Sequence, residues 1–192
     1  MKTPKKLDLY VQYKAEYVTP KNPVLLQASP AQYLAIDGRG EPGGAEFQMK
    51  IGALYNVAFT IKMARKFAGQ DYAVSKLEGL WSENNRTIWT LCIRIPDFIG
   101  AKDLKGAVRK LLDKGKDPEV GEVKVRKLKE GQSVQILHVG PYDQCGATIE
   151  VMRKFATGQG LAFRGAHHEI YLSDPRRVAP AKLRTILRHP VS

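Results

Sequence analysis

An internal duplication constrains the fold of this chain more than any single motif does. The order strand, strand, helix, strand, strand occurs twice within 192 residues. The first copy comprises "PVLLQASPAQYLAIDGRG", "AEFQMKIGALYNVAFTIKMARKFAG", "AVSKLEGLW" and "TIWTLCIRIP". The second copy comprises "EVKVRKLKEGQSVQILHVGPY", "DQCGATIEVMRKFATG", "HHEIYLSDP" and "KLRTILRHPV". We therefore predict two modules of the same topology.

Local signals define the elements within each module. Gly69 ends the first helix, whose apolar residues recur at helical spacing: Ile51, Leu54, Ala58 and Ile61. The segment "SENNR" predicts a turn between the last two strands of the first module. In the second module we predict a hairpin that turns at Glu130 and Gly131. Between the modules, "AKDLKGAVRKLLDKG" predicts a helix with a buried side formed by Leu104, Val108, Leu111 and Leu112.

Neither module is large enough to bury both faces of its own sheet, so we expect the two to pack together around a pseudo-twofold axis. The prediction is an α+β fold in which antiparallel sheets surround a central ligand groove. We expect one domain at residues 23–192, with repeats at about 23–98 and 120–191 and a linker helix at about 100–115. Residues 1–22 form an extension, in which "LDLYVQYKAEY" predicts a short helix packed outside the repeats.

Composition excludes several classes of protein. No apolar run is long enough to span a bilayer, and no apolar stretch follows the lysines of "MKTPKKLDLY", so we expect a cytoplasmic protein without a signal peptide. Cys92 and Cys145 supply no disulfide or metal framework. His167 and His168 are adjacent and point to opposite faces of a strand, without an acidic or thiol partner at ligand spacing. We expect no metal and no cofactor, and we favour a monomer.

The net charge of +12 raises the possibility of nucleic-acid binding. However, the basic residues are scattered along a helix, a strand and the carboxyl-terminal segment, and no helix-turn-helix, zinc knuckle or aromatic-basic motif accompanies them. We therefore expect only weak, salt-sensitive and sequence-independent binding to nucleic acid.

The strand "HHEIYLSDP" carries the most informative polar residue of the chain. Alternation places His168, Ile170 and Leu172 on one face and leaves His167, Glu169 and Tyr171 on the other. If the second face is exposed to solvent, Glu169 is an ordinary surface carboxylate. If that face borders a cavity, a buried carboxylate beside a phenol is costly and indicates a function.

Four segments in order over the duplicated architecture resemble the GyrI-like family of small-molecule-binding proteins: "AIDGRGEPGG", "KLEGLW", "LHVGPYD" and "HHEIYLSDPRRVAPAKLRTILRHPV". That family includes the DNA gyrase inhibitory protein and the effector domain of multidrug-sensing regulators, and the chain is most similar to its stand-alone subgroup. Many members there have a second tryptophan after "LEGLW", where this chain has Ser82. This difference would loosen part of the aromatic lining.

The resemblance implies that the carboxylate of the penultimate strand faces a groove lined by aromatic rings. On this chain it corresponds to Glu169, with Tyr171 as its nearest aromatic partner. Glu78 occupies the equivalent strand of the first repeat, where alternation places it on the opposite face from Trp81. Two interpretations of Glu78 are therefore equally open: a role in the groove, or a surface ion pair with a lysine. Further candidate ligand-binding residues are Trp81, Trp89, Tyr55, Phe47 and Tyr142, for which core packing is the alternative.

The resemblance leaves two principal functions open. The chain could bind or sequester small aromatic or cationic molecules, or it could hydrolyse the cyclopropane ring of DNA-alkylating natural products, as a stand-alone subfamily does. We favour hydrolysis, with Glu169 as the base that deprotonates water, Tyr171 as a proton donor and Glu78 as a reserve base. A carboxylate among aromatic rings is expected to have a raised pKa that suits this role. An association with gyrase or DNA rests on charge and on the family name alone.

Overall fold

A computed structural model of the chain describes residues 6–82 and 85–192. Its centre is one antiparallel eight-stranded sheet with the order β1-β6-β8-β7-β3-β4-β2-β5. The strands are β1 (Val24–Ala28), β2 (Ala31–Arg39), β3 (Leu77–Trp81), β4 (Ile88–Ile95), β5 (Lys124–Leu128), β6 (Gly131–Val139), β7 (His167–Tyr171) and β8 (Arg184–Pro190). The α-helices are α1 (Leu9–Gln12), α2 (Lys14–Tyr17), α3 (Ala45–Phe67), α4 (Ala101–Leu112) and α5 (Cys145–Gly158).

The strand order is symmetric about the contact between β7 and β3. Each strand of the first repeat has its equivalent at the mirrored position in the second, so that β1 matches β5, β2 matches β6, β3 matches β7 and β4 matches β8. The predicted α+β fold of duplicated modules is therefore confirmed. The two halves form one continuous sheet, because β3 and β7 pair directly through Glu78 to Trp81 opposite Ile170 to His167.

The predicted hairpin at Glu130 and Gly131 is wrong. β5 pairs with β2 of the first repeat, and β6 pairs with β1, so each repeat contributes its first strand to the other half of the sheet. Only two residues separate β5 from β6, and only two separate β1 from β2. Because a two-residue link spans about 10 Å, the two edges of the sheet come close together, and the sheet must be strongly curled.

One face of the sheet, which we call the helix face, packs against α3 and α5. Leu54, Val57 and Ile61 of α3 are buried in a cluster that also contains Trp81 and Trp89. A second cluster combines Cys145 and Met152 of α5 with side chains of β6 and β8: Val134, Ile136 and Leu187. The two helices thus lie side by side over the same face, each above its own repeat.

Helix α4 lies between the repeats and packs against α3. The buried side of α4 contains three of the predicted residues: Leu111 is buried, and Leu104 and Val108 are half-buried. The prediction for Leu112 is wrong, because its side chain is 45% exposed. Leu111 and Leu112 are 100° apart around the helix, and only one of them can face the core.

The opposite face, which we call the rear face, is covered by the amino-terminal extension. The predicted single helix consists of two four-residue helices, α1 and α2, the first of them capped by the side chain of Asp8. Tyr17 packs against Ile170 and Ile186 of the sheet. The extension therefore packs on the sheet from outside, against its rear face. Across residues 6–82 and 85–192, none of the helices is both long enough and apolar enough to cross a membrane.

Candidate functional site

The register of β7 assigns its side chains to the two faces of the sheet. Glu169 lies opposite Gly79 of β3 and Leu187 of β8, which face the helices, whereas Ile170 lies opposite Glu78 on the rear face. His167, Glu169 and Tyr171 therefore share the helix face, as alternation predicts. Glu169 is only 2% exposed, so it is not a surface carboxylate.

Three side chains surround the Glu169 carboxylate. The Tyr171 hydroxyl donates a hydrogen bond of 3.0 Å to Oε2. The Arg86 guanidinium donates one of 3.0 Å to Oε1. The His167 Nε2 atom lies 3.4 Å from Oε1, which is longer than a normal hydrogen bond. The buried charge is thus paired and hydrogen-bonded, as a charge away from water must be.

The pKa of Glu169 is lowered, in contrast to the raised pKa that we predicted from its aromatic surroundings. Burial does push the pKa upward, but the contacts with His167, Arg86 and Tyr171 favour the charged form and outweigh burial. Burial and the adjacent Glu169 charge raise the pKa of Tyr171 well above its usual value. The site therefore holds an ionised carboxylate and a protonated phenol.

Aromatic side chains form the walls around this carboxylate. Trp81 is 3% exposed, and Phe47 of α3 stacks on it with ring centroids 6.0 Å apart. Tyr142 meets the Tyr171 ring edge-on at 5.5 Å. A side chain at Gly79 would place Cβ 2.9 Å from the Tyr171 hydroxyl and 3.0 Å from Trp81 Nε1. Glycine at this position therefore lets the phenol and the indole meet above the strand.

Two other predicted wall residues, Trp89 and Tyr55, contact groups other than Glu169. Trp89 lies flat over Gly38, donates a hydrogen bond of 3.1 Å from Nε1 to the Gly40 carbonyl, and packs edge-on against Phe47. It supports the site from within the core. Tyr55 stacks on exposed Phe59 of the same helix.

Cys145 begins α5 near the site, and burial together with the Glu169 charge raises the pKa of its thiol to about 12. The thiol is therefore protonated at neutral pH and fits a structural role. Burial first, and then the charge of Glu169, also raises the pKa of Tyr142. Both residues stand at the amino-terminal end of the second-repeat helix, beside the carboxylate.

Glu78 lies on the rear face of the sheet and does not share the site of Glu169. It is fully buried, where it accepts a long hydrogen bond of 3.4 Å from the Tyr17 hydroxyl. Its Oε2 atom lies 2.9 Å from His168 Nε2, although the two are not aligned as a hydrogen bond. Glu78 therefore neither lies beside Glu169 in a groove nor forms a surface ion pair with a lysine.

Glu78 belongs to a buried network of charged groups, which we call the rear network. His168 also contacts Glu130 through Nδ1 at 2.9 Å, and Arg188 binds Glu130 at 3.0 Å. Arg94 binds Glu16 of the amino-terminal extension at 2.8 Å. Three carboxyl groups therefore face three cationic side chains: Glu16, Glu78 and Glu130 with Arg94, His168 and Arg188.

These contacts shift the pKa values of the rear network. Burial opposes the charge on His168, but Glu130, Cys92 and Glu78 raise the pKa of His168 well above its usual value. Burial likewise opposes the charge on Glu130, but His168 and Arg188 lower the pKa of Glu130 to about 2. His168 therefore carries a proton at neutral pH and acts as a buried cation.

The donor atoms of Glu78, Cys92 and His168 lie within 4.8 Å of one another. The sequence-based statement that His168 has no acidic or thiol partner is therefore wrong, because the fold brings both from other strands. Burial raises the pKa of the Cys92 thiol to about 11, and metal ligation would require a thiolate and a neutral imidazole. The protonated His168 ring supplies the positive charge of an ion-pair network at this point, and a metal could bind here only by displacing the protons of His168 and Cys92.

Alternation placed His167 on the strand face of Glu169, but sequence reasoning gave His167 no role at the site, and it missed Arg86 altogether. His167 was recognisable, because alternation places it on the same strand face two residues away. Arg86 was not, because it is the last residue of the predicted turn "SENNR", whose geometry no motif specifies. Of the predicted turn "SENNR", residues 83 and 84 lie outside the described part of the chain.

Solved structures share this architecture over nearly the whole chain. A hydrolase from Listeria innocua is 36% identical, with 97% of this chain and 100% of that chain covered and a TM-score of 0.89. An uncharacterized conserved protein from the same organism is also 36% identical, with coverage of 97% and 100% and a TM-score of 0.90. The C-terminal domain of EcmrR shares the fold at a TM-score of 0.60, with 11% identity and coverage of 89% and 97%.

None of the curated proteins matches the chain. Residues 21–192, which include every strand of the sheet, match the GyrI-like small molecule binding domain. The match begins at residue 21, at the end of the amino-terminal extension, and contains the whole surroundings of Glu169. This chain therefore belongs to the GyrI-like family of small-molecule-binding domains.

Proposed function

We propose that this chain is a hydrolase that binds a flat aromatic electrophile beside Glu169 and adds water to its strained cyclopropane ring. The substrate class is the spirocyclopropyl cyclohexadienones, which alkylate DNA. The observation that carries the proposal is a buried, ionised carboxylate with a phenol donor and a guanidinium within 3.0 Å, beside an indole. Opening the ring removes the electrophile, so the biological outcome would be protection of DNA.

The relatives support the class of activity and not the individual reaction. The Listeria innocua protein that is 36% identical is described as a hydrolase. The family match indicates that the bound molecule is small. The substrate proposed here goes beyond both: the resemblance to the stand-alone subfamily suggests it, and the carboxylate, phenol and guanidinium of the site suit its chemistry.

In the proposed reaction, Glu169 orients a water molecule for attack on the cyclopropane carbon. Its lowered pKa makes it a weak base at rest, so the proton moves to the carboxylate only as the new C–O bond forms and the water becomes acidic. The cyclopropane C–C bond breaks, and its electron pair passes through the ring to the dienone oxygen. That oxygen becomes a phenolate and then takes a proton.

The groups around Glu169 suit the other half of this step. Tyr171 stays protonated at neutral pH because of its raised pKa, so it can donate to the dienone oxygen. Arg86 supplies a fixed positive charge beside the proposed position of the dienone oxygen, and this charge would stabilise the oxyanion that develops there. Trp81 and Tyr142 would hold the flat rings, while Phe47 and Trp89 support them from behind. Tyr55, which stacks on Phe59 of the same helix, is a further candidate for holding the rings.

Glu78 has no place in this reaction, because the sheet separates it from Glu169. Its proposed role is to position His168 and thereby the strand that carries Glu169. This replaces its role as a reserve base.

The proposal is tested by incubating purified protein with such a compound and following the ring-opened, water-added product by mass spectrometry. We expect multiple turnovers for the natural chain and for Glu150→Gln, a matched control whose side chain is 62% exposed on α5. We expect a loss of about 100-fold or more in Glu169→Gln, a typical contribution of a general base. Stoichiometric binding without turnover, or full turnover in Glu169→Gln, would refute the proposal.

A second candidate function, passive binding of cationic aromatic molecules, is favoured by one observation. The Arg86 guanidinium, itself a flat cation, already lies over the Trp81 ring and against Glu169. The same pair of groups can bind a flat cation from outside the chain. Whether it does so depends on the competition with Arg86.

A further inference from the structure

We infer that Arg86 determines the charge selectivity of this site, by occupying the position of a ligand's cation and so directing binding toward uncharged molecules. The inference deepens the proposed function, because it concerns the same site. Two contacts of one side chain and its exposure carry it.

Arg86 lies between the carboxylate and the indole. Its Nη2 atom is 3.0 Å from Glu169 Oε1, and its central guanidinium carbon is 5.3 Å from the centre of the Trp81 ring. Its side chain is 49% exposed, whereas that of Glu169 is 2% exposed. The guanidinium therefore covers the carboxylate with one edge and presents the other edge to solvent.

The backbone next to Arg86 is fixed by contacts that do not involve the site. The Thr87 carbonyl accepts a hydrogen bond of 2.9 Å from the Gly40 amide, and the Asn85 side chain accepts one of 2.9 Å from the Thr87 amide. Arg86 thus lies in the turn two residues before β4, next to a residue whose backbone amide and carbonyl are both hydrogen-bonded. Its position follows from the strand ends rather than from the ligand.

A guanidinium has the same recognition features as a cationic aromatic drug. It is planar, carries a delocalised charge, and combines stacking on an aromatic face with hydrogen bonds to a carboxylate. An incoming cation can reach Glu169 in two ways. It can displace Arg86, which then loses its ion pair with Glu169, or it can bind beside Arg86 and be repelled by the positive charge of the guanidinium. An uncharged flat molecule faces neither cost, because Arg86 and Glu169 already neutralise each other.

His167 and Tyr171 do not replace Arg86 in this respect. The Tyr171 hydroxyl is uncharged, and His167 Nε2 is farther from the carboxylate, at 3.4 Å. Among the described residues, Arg86 is the only arginine or lysine paired with Glu169. Removing its charge should therefore leave a buried carboxylate with a vacant place for a cation.

The test uses two flat three-ring probes of nearly the same shape. Acridine is uncharged at pH 8, and 10-methylacridinium is a permanent cation. Affinities are measured by isothermal titration calorimetry for the natural chain, Arg86→Gln, Arg86→Lys and the control Arg109→Gln, whose side chain is 84% exposed on α4. Thermal unfolding shows whether each variant is folded.

We expect Arg86→Gln to bind 10-methylacridinium about tenfold more tightly than the natural chain does, equivalent to about 1.4 kcal/mol, with acridine affinity changed less than threefold. The double variant Arg86→Gln, Glu169→Gln should lose the gain. Arg86→Lys keeps the positive charge and should exclude the cation as the natural chain does, and Arg109→Gln should behave as the natural chain for both probes.

An unchanged or weaker affinity of folded Arg86→Gln for the cation would overturn the inference. If Arg86→Gln does not fold, Arg86→Lys decides. A tenfold gain in its affinity for 10-methylacridinium over that of the natural chain would overturn the inference, and an unchanged affinity would support it. The outcome is independent of turnover: a protein that opens no cyclopropane and still shows the predicted change in selectivity refutes the proposed function alone.

Discussion

Replacing Glu130 by glutamine should destabilise the protein in a way that depends on pH. Glu130 links His168 and Arg188 in the rear network, and its pKa is lowered from an ordinary 4.5 to about 2 by these two partners against the effect of burial. A lowered carboxyl pKa contributes stability that is fully present above 4.5 and is lost as the pH falls toward 2. The shift corresponds to about 3 kcal/mol in total, of which about 2 kcal/mol is lost by pH 3.

His168 contributes with the opposite sign. Its pKa is raised above the ordinary 6.5, although burial alone would lower it, so its contribution is present below 6.5 and is lost as the pH rises through the raised value. Between about pH 4.5 and 6.5 both groups stabilise the fold fully. In that range, Glu130→Gln leaves His168 and Arg188 without their shared carboxylate, and we expect a loss of about 3 to 5 kcal/mol.

Urea unfolding followed by tryptophan fluorescence measures this effect at pH 6, 5, 4 and 3. The difference in unfolding free energy between the natural chain and Glu130→Gln should shrink by about 2 kcal/mol between pH 5 and pH 3, since the natural chain loses its Glu130 contribution and the variant has none to lose. Glu150→Gln, altered at a 62% exposed side chain, should follow the natural chain throughout. A difference that stays constant over this range would refute the rear network as a source of stability.

Two further predictions concern the core and the surface charge. Gly38→Ala would place Cβ 2.0 Å from the Trp89 ring, so the indole must leave its buried position, and we expect a loss of about 3 kcal/mol or more in unfolding free energy; Gly52→Ala, with no atom within 4 Å of the added Cβ, is the matched control and should be neutral or slightly stabilising. For nucleic acid, we expect weak binding of duplex DNA that falls steeply with salt and does not vary with sequence; tight, sequence-selective binding at 150 mM salt in a fluorescence anisotropy titration would contradict this.

The sequence was sufficient to predict the elements and their duplication. Periodicity located α3 and its stop at Gly69, and alternation separated Glu169 from Ile170 on β7. These features are local, because each depends on residues a few positions apart along one element.

The remaining features depend on contacts between distant segments, which local patterns do not encode. The exchange of first strands was missed because "KLKEGQ" is compatible with a tight hairpin and with a corner between two halves of a curled sheet. The rear network brings Glu16, Glu78 and His168 together from the amino-terminal extension and two strands. The pKa of Glu169 was predicted in the wrong direction, because burial was considered without the contacts of His167, two positions away, and of Arg86, 83 positions away.

The central claim, that Glu169 directs water onto a bound electrophile, is tested most directly by a single-turnover reaction in water enriched in oxygen-18. With protein in excess over a spirocyclopropyl cyclohexadienone, we predict that the ring-opened product of the first turnover carries one oxygen-18 atom, because water itself attacks the carbon. We predict no such product from Glu169→Gln on the same timescale. A first-turnover product that contains only oxygen-16 would mean that a protein oxygen attacks first, and an oxygen-18 product formed equally fast by Glu169→Gln would contradict the assigned role of the carboxylate.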